Sequence, residues 1–176
     1  MATTKWILDP THSEVQFKIK HLMITNVTGH FNSFEAEATA NDDDFTKANF
    51  SFKANVSSIS TNNEQRDAHL KGADFFDAEK FPEIKFTATN NANVSNDSYD
   101  LSGDLTIKGV TKNITLSVEF GGVTKDPYGN TKAGFSISGK INRKDFGLNW
   151  NAALETGGVM VSDEVRINCE IQLIRQ

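Results

Sequence analysis

The sequence predicts an all-β fold built from one sheet that closes on itself. Its clearest signal is strict alternation, in which Phe50 and Phe52 are separated from each other and from further apolar residues by polar ones. The same two-residue rhythm returns in residues 114–120, 133–141 and 165–173. Because successive side chains of a strand point to opposite faces, each such strand has one buried and one hydrated face. Closing the sheet hides the apolar face without leaving exposed edges.

Length and charge restrict the function further. A chain of 176 residues is most simply one domain, here residues 1–176, because all-β units commonly reach this size undivided. The net charge is −5 and basic runs are absent, which argues against nucleic-acid binding, since that needs clustered Lys and Arg. No segment approaches the roughly 18 apolar residues of a membrane span, and the start lacks the apolar core of an export signal. We therefore expect no stable membrane insertion and a cytoplasmic protein.

Nine strands are predicted along the chain, separated by orderly turn signals. They are predicted at residues 5–9, 14–22, 27–39, 47–58, 83–90, 98–108, 112–124, 131–142 and 163–174. Turn-forming residues cluster between them, for example at 41–44, 126–130 and Gly157-Gly158. Within the third strand, Phe31 and Phe34 are an odd number of residues apart. Both can face inward only across a β-bulge, so a bulge is expected there.

One segment breaks the β rhythm and predicts a short helix. Thr61 and Glu64 have the spacing of a capping box, and Gly72 is a typical stop signal, so a helix of roughly ten residues is expected. A helix this short is not stable alone and must pack on the sheet. The connection that follows it is unusually apolar because it contains Phe75 and Phe76. The helix and these rings either cover one mouth or flank of the sheet or form a satellite core under a long loop.

Three groups near the N-terminus have the residue types of a hydrolytic triad. Asp9, His12 and Ser13 are so close in sequence that they rarely converge as nucleophile, base and orienting group. The chain also lacks a Gly-x-Ser-x-Gly elbow. With Pro10 between them, these residues are more simply a turn that joins two strands.

Two further histidines and the single cysteine are candidates for a polar site. His21 continues the apolar face of its strand, and His30 lies across a predicted hairpin, where the two imidazoles could meet. Two imidazoles are too few for a closed zinc site, and Cys169 is the only thiol. We therefore expect no metal, and we interpret the histidines as structural or as one polar anchor for a head group. Cys169 is in phase with apolar neighbours and is expected to be a small buried hydrophobe.

Charged residues on and beyond the predicted helix admit two interpretations. Arg66 and His69 lie one turn apart on the same side of the helix. With Asp67, they either close the mouth of a pocket or tie the helix to the adjoining loop, and we favour the second. After residue 142, Arg143 is available to pair with a carboxylate, and Trp150 is expected to cover the end of the closed sheet.

A series of short motifs runs through the whole chain in a fixed order. They are Trp6-Ile7-Leu8-Asp9 with His12-Ser13, Gly29-x-Phe31, Arg66-Asp67-x-His69-Leu70, Asp74-Phe75-Phe76, Phe81-Pro82-x-Ile84-x-Phe86, Gly103-x-Leu105-Thr106-Ile107-Lys108-Gly109, Asn142-Arg143-x-Asp145-Phe146-Gly147 and Val161-x-Asp163-x-Val165. Each motif is weak alone, but the ordered set resembles the YceI-like proteins, a lipocalin-like family of polyisoprenoid-binding proteins. The resemblance implies an eight-stranded antiparallel lipocalin-like barrel with a short extra strand and one flanking helix. It also implies a long apolar channel for a polyprenyl chain or other amphiphile, and a homodimer.

The residues and the resemblance together predict a non-catalytic binder that stores, transfers or protects a long-chain isoprenoid or similar amphiphilic lipid. An eight-stranded barrel either packs its own side chains or encloses one small ligand, and small inward residues such as Ala54 and Gly103 leave room. The alternatives are an enzyme that acts on a lipid with His21 or His30 as acid–base, and a filled barrel that serves as a dimerisation module. No cofactor is expected. The residues expected to contact the lipid are Phe17, Ile19, His21, His30, Phe31, Phe50, Phe52, Val56, Leu70, Phe75, Phe76, Phe86, Leu105, Phe120, Phe135, Ile137 and Trp150.

Overall fold

The computed structural model describes residues 3–22, 24–41, 43–95, 97–151 and 160–176. Within them the chain forms eleven strands and one α-helix. In chain order these are β1 (Thr4–Leu8), β2 (Glu14–His21), β3 (Thr25–Phe31), β4 (Phe34–Asn41), β5 (Asp44–Asn55), β6 (Ile59–Ser60), α1 (Glu64–Lys71), β7 (Glu83–Ala92), β8 (Ser98–Ile107), β9 (Val110–Lys125), β10 (Thr131–Asn142) and β11 (Val161–Arg175). In the part of the chain so described, no helix combines the length and the apolar character needed to cross a membrane.

Eight of the strands form a closed antiparallel barrel in the order β1-β4-β5-β7-β8-β9-β10-β11. The ring closes where β1 pairs with the end of β11, with Leu8 opposite Leu173. The predicted closed sheet and eight-stranded barrel are therefore confirmed. The extension is larger than the one short strand expected, because β2, β3 and β6 continue the sheet beyond β11.

Strand β8 shows why alternation in sequence produces this barrel. Tyr99, Leu101, Leu105 and Ile107 are buried on its inner face, and the residues of its outer face, Ser98, Asp100, Ser102, Asp104 and Thr106, are more exposed. Gly103 is buried on the same face, where the ring of Phe86 on β7 covers it. Burying the apolar inner face of each strand supplies the main driving force for closure.

Five aromatic rings fill one end of the barrel, and we call them the aromatic plug: Trp6, Phe45, Phe50, Phe120 and Phe135. The ring of Phe45 lies at the centre, with its centroid 5.0 Å from those of Trp6 and Phe135 and 5.5 Å from that of Phe120. Phe50 packs edge-on against Phe135 at 5.7 Å. Tilted and edge-to-face arrangements of this kind are favourable for aromatic rings. The plug therefore leaves any internal space to the opposite end of the barrel.

Helix α1 lies at that opposite end and begins two residues later than a cap at Thr61 would place it. The side chain of Asn63 accepts a hydrogen bond from the amide of Arg66 at 3.0 Å and so caps the helix. Thr61 instead donates its amide and hydroxyl to the Asp67 carboxylate, at 2.8 and 2.6 Å. The expected capping box from Thr61 to Glu64 is therefore wrong, because Thr61 holds the flank of the helix rather than its first turn.

The predicted long strand over residues 27–39 is two strands, β3 and β4. The chain breaks between them at Asn32 and Ser33, whose backbone groups bond to the end of β5 and the turn after it: Asn55 donates to the Ser33 carbonyl at 2.9 Å, and Asn32 donates to the Ser58 carbonyl at 3.2 Å. Phe31 and Phe34 thus belong to different strands, and the expected bulge between them is wrong. The predicted turn at Gly157-Gly158 lies outside the described residues.

Candidate functional site

An apolar cavity of about 550 Å³ occupies the barrel between the aromatic plug and α1. Its walls are the inner faces of the barrel strands other than β1, together with those of β2 and β3. The segment from α1 to Phe76, with Trp150, lines it at the end opposite the plug, which we call the mouth. Ligand pockets for small molecules are typically about 300–1,000 Å³ and mostly apolar. The lumen is therefore of ligand size and is not filled by its own side chains.

Most residues predicted to contact a lipid line this cavity. They are Phe17, Ile19, His21, Phe31, Phe50, Phe52, Leu70, Phe75, Phe76, Phe86, Leu105, Phe135, Ile137 and Trp150. Their common feature is the inward phase of a strand or a place on the apolar connection around α1. Their contact with a ligand stays a prediction, but the structure places them together around one space.

Three predicted residues lie elsewhere. His30 is out of phase on β3, because its neighbours Gly29 and Phe31 are the buried residues of that strand. Val56 is 2% exposed and belongs to the packed core in a 3₁₀ turn after β5. Phe120 belongs to the aromatic plug. None of these three side chains is part of the cavity lining among the described residues.

The two histidines do not form the pair that their hairpin suggested. In the pairing of β2 with β3, His21 lies opposite Thr25 and His30 lies opposite Gln16. The expected meeting of the imidazoles is therefore wrong, since they lie at different levels of the hairpin and only His21 lines the cavity. Among the described residues, no cluster of three or more His, Cys, Asp or Glu side chains could hold a metal ion.

The polar side chains of α1 both hold the helix and line the mouth. Arg66 donates from Nε to the Thr61 hydroxyl at 2.7 Å and from Nη2 to the Thr61 carbonyl at 2.6 Å. The Nε2 atom of His69 is 3.2 Å from the Asp74 carboxylate, and its ring meets that of Trp150 edge-on at 4.9 Å. Arg66 and His69 also line the cavity. The two interpretations of this group are therefore compatible: the same contacts that tie the helix down place it across the mouth.

Arg143 anchors the other side of the mouth. Its side chain is 2% exposed, and the guanidinium donates to the carbonyls of Leu148 at 2.6 Å, Trp150 at 2.8 Å and Ser162 at 2.8 Å. The expected carboxylate partner is Asp163, but its Oδ1 atom is 3.9 Å from Nη2 of Arg143, which is farther than any of these carbonyl oxygens. Burial lowers the pKa of Arg143 and the charge of Asp163 partly opposes this. Arg143 thus fixes the segment that carries Trp150 through backbone carbonyls rather than through an ion pair.

The Asp9 cluster is a structural turn on the outside of the cavity. The pKa of Asp9 is lowered well below its ordinary value; burial acts to raise it, but hydrogen bonds from Lys132, Thr11 and His12 outweigh burial. The Lys132 ammonium is 2.7 Å from the carboxylate, and His12 Nδ1 is 2.9 Å from it. Ser13 donates its hydroxyl to the Asp9 carbonyl at 2.7 Å. Because Ser13 bonds to the backbone rather than to His12, the predicted turn describes this cluster better than a triad.

Comparison with known proteins places this barrel in a family. The family model of the YceI-like domain matches residues 6–173. The chain belongs to the YceI-like family. It is 41% identical over 170 residues to a UPF0312 protein of Staphylococcus aureus strain MSSA476, with 96% of each chain covered. A UPF0312 protein of Staphylococcus epidermidis is 42% identical over 170 residues, again with 96% of each chain covered.

Solved YceI-like structures have the same architecture. The Campylobacter jejuni YceI protein matches with a TM-score of 0.76 at 34% identity, covering 90% of this chain and 91% of that one. Burkholderia cenocepacia BcnA gives a TM-score of 0.78 at 24% identity over 94% of this chain and 98% of its own. A polyisoprenoid binding domain from Saccharophagus degradans gives 0.73 at 14% identity over 97% and 98%. At these lower identities the last two support the fold alone.

This YceI-like cavity also contains residues that sequence reasoning missed. They include Ile84, Tyr99, Leu101, Ile107, Leu116, Cys169 and Ile171. All share the alternating inward phase of their strands, so the signal was present. Burial raises the pKa of the Cys169 thiol to about 12. The thiol is therefore protonated at neutral pH and acts as the small apolar wall residue that its phase predicted.

Proposed function

We propose that this YceI-like protein binds a long-chain isoprenoid or similar amphiphilic lipid inside its barrel, without catalysis, to store, transfer or protect it. The observation that carries the proposal is the apolar cavity of about 550 Å³ between the aromatic plug and the mouth. The Saccharophagus degradans relative in fold is a polyisoprenoid binding domain, so a barrel of this architecture is compatible with that ligand class. The proposal requires neither a metal nor a cofactor.

The size of the hydrophobic effect makes such binding sufficient without many polar contacts. Each buried methylene contributes roughly 0.8 kcal/mol, so about ten contribute roughly 8 kcal/mol before association costs. A micromolar dissociation constant corresponds to about 8 kcal/mol net, so the ligand must bury more than about ten methylenes to offset the association costs as well, which a long-chain lipid can supply. One methylene more or less changes affinity little, so the protein should accept a range of chain lengths.

The distribution of polar groups gives the lipid an orientation. Arg66 and His69 line the mouth, whereas the opposite end is closed by the rings of the aromatic plug. A charged or strongly polar head group loses less hydration at the mouth than beside those rings. The hydrocarbon chain therefore enters first and points toward the plug.

The enzymatic alternative has less support than the binding proposal. His30 lies outside the cavity lining, and on the hairpin His21 faces Thr25 rather than a second acid–base group. General acid–base chemistry needs a group within hydrogen-bond reach of the reacting atom and a suitable partner. A homodimer and a cytoplasmic location complete the proposal, as the sequence-based expectations imply, and light scattering and cell fractionation test them.

The direct test is extraction of the purified protein with organic solvent followed by mass spectrometry. Phe52 lines the cavity and Asn49 is exposed on the same strand, so Phe52→Asp and Asn49→Asp introduce the same charge inside and outside. We expect lipid in the wild type and in Asn49→Asp, and none in Phe52→Asp, with circular dichroism confirming that all three fold. Retention of lipid by a folded Phe52→Asp protein contradicts the proposed lining. Failure of the wild type to take up added geranylgeraniol contradicts the function.

A further inference from the structure

Tyr99 is a polar side chain on an otherwise apolar wall. It lies on the inner face of β8 with Leu101 and Leu105, and all three line the cavity. Its side chain is 5% exposed, and its hydroxyl oxygen is buried with no hydrogen-bond partner among the described residues. Burial raises the pKa of Tyr99 above its ordinary value, so the hydroxyl stays protonated and can both donate and accept a hydrogen bond.

The strand register places this hydroxyl-bearing residue at the deep end of the cavity. Tyr99 lies opposite Val118 on β9, which lies opposite Ile137 on β10. Phe120 and Phe135 of the aromatic plug are the next inward residues on those two strands. Strand β8 therefore begins beside the plug and runs toward the mouth. A ligand that fills the cavity has its leading end near the Tyr99 ring. The hydroxyl oxygen itself is covered by protein in this structure, so a small movement of the phenol ring is needed to bring it into contact with the ligand.

The choice of tyrosine at this position needs a reason. The chain has thirteen phenylalanines and two tyrosines, and the other tyrosine, Tyr128, is 89% exposed. Phenylalanine would fill the same space at position 99 without a hydroxyl. A buried hydroxyl without a partner destabilises the folded protein, because it loses its hydrogen bonds to water and forms none within the protein. The partner that justifies the hydroxyl is therefore to be sought in the occupant of the cavity.

We propose that Tyr99 is a specificity-determining residue that hydrogen-bonds an oxygen at the buried end of the ligand. This inference rests on the proposed lipid-binding function and deepens it. The preferred ligand class is then a long-chain lipid that carries a hydroxyl or carbonyl oxygen at the end that reaches the plug, in addition to its head group at the mouth. A plain hydrocarbon tail fills the cavity but leaves the Tyr99 hydroxyl without a partner.

A cycle of two proteins and two ligands tests this pairing. The ligands are palmitate and ω-hydroxypalmitate, which differ only by an oxygen at the end remote from the carboxylate, and the proteins are the wild type and Tyr99→Phe. The replacement is expected to lower the preference for ω-hydroxypalmitate over palmitate by about 3- to 10-fold, the effect of one neutral hydrogen bond. Leu105→Val is the matched control, because it removes packing against both ligands and should leave the preference unchanged.

Three outcomes decide the matter. An equal preference in the wild type and Tyr99→Phe overturns the inference, yet palmitate binding would still support the proposed function. Failure of the wild type to bind either ligand overturns both. In the lipid-free protein, Tyr99→Phe should leave the unfolding midpoint unchanged or raise it; a lower midpoint would show that the hydroxyl already has a partner in the protein and would overturn the inference independently.

Discussion

The contact between Gly29 and Phe17 gives the sharpest test of how the cavity wall is built. These residues lie directly opposite each other on β3 and β2, and Phe17 lines the cavity. A Cβ atom on Gly29 would lie 2.1 Å from Cζ of the Phe17 ring. Ordinary van der Waals contact begins near 3.4 Å, so in Gly29→Ala the ring must move by at least about 1 Å. The absence of a side chain at Gly29 therefore fixes where the Phe17 ring lies.

We expect Gly29→Ala to destabilise the protein by about 1–3 kcal/mol, the usual cost of overpacking, and to reduce lipid uptake as the ring moves. Urea unfolding measures the first effect, and the amount of extracted or added lipid bound measures the second. The matched control is Gly134→Ala on β10, because a Cβ atom there meets nothing within 4 Å; it should be neutral or slightly stabilising, since alanine costs less backbone entropy than glycine.

A second replacement separates the ring contact from other effects of the alanine. Removing the ring in Gly29→Ala/Phe17→Leu should recover part of the lost stability, because the clash is then absent. Two results would refute the proposed contact between Gly29 and Phe17. The first is a Gly29→Ala protein with the stability and lipid uptake of the wild type. The second is a double variant whose loss of stability equals the sum of the losses in Gly29→Ala and Phe17→Leu.

Three further predictions follow from buried polar groups. Arg143→Met should lower the free energy of unfolding by about 3 kcal/mol or more, since it leaves buried carbonyls, including that of Trp150, without donors; an Arg143→Met protein as stable as the wild type would contradict this. Because the pKa of Asp9 is lowered in the folded protein, its carboxylate stabilises the fold fully above about pH 5, and this stabilisation is lost as the pH falls through the folded-state pKa. The difference in unfolding free energy between the wild type and Asp9→Asn should therefore shrink in acid. A difference that stays constant down to strongly acidic pH would contradict this prediction. Because burial raises the pKa of Cys169 to about 12, this thiol should react with a thiol reagent much more slowly in the folded protein than after unfolding, and equal labelling rates in the two states would argue otherwise.

Much of the barrel follows from local alternation. On β8, Leu101, Leu105 and Ile107 are buried as the two-residue period requires. The break between β3 and β4 was missed although Asn32 and Ser33 are turn-forming residue types, and the hydrogen bonds that hold them come from the distant residues around Asn55. Pairing between distant segments is decided by tertiary structure, which local periodicity does not contain.

The sequence predicted which face of each strand a site residue lies on, but not how far along the barrel axis it lies. Phe52 and Phe120 have equally regular inward positions in sequence, yet Phe52 lines the cavity and Phe120 belongs to the plug. How far along the barrel axis a residue lies depends on strand tilt and register, which a strand's own sequence does not encode. The interpretation of His30 failed for a simpler reason, since Val27, Gly29 and Phe31 already define the inward phase of β3 and exclude it. Arg143 binds carbonyls, and backbone partners leave no sequence signature.

Among the described residues, the rings of Trp6, Phe45 and their neighbours close the far end of the tube, so its length limits how much of a chain fits inside and α1 lies at its open end. Under the proposed function, a lipid shorter than the tube would be enclosed completely, and a longer one would extend past α1. A donor and an acceptor of the lipid would then use the same face of the protein in turn. Whatever covers α1 would control both loading and release.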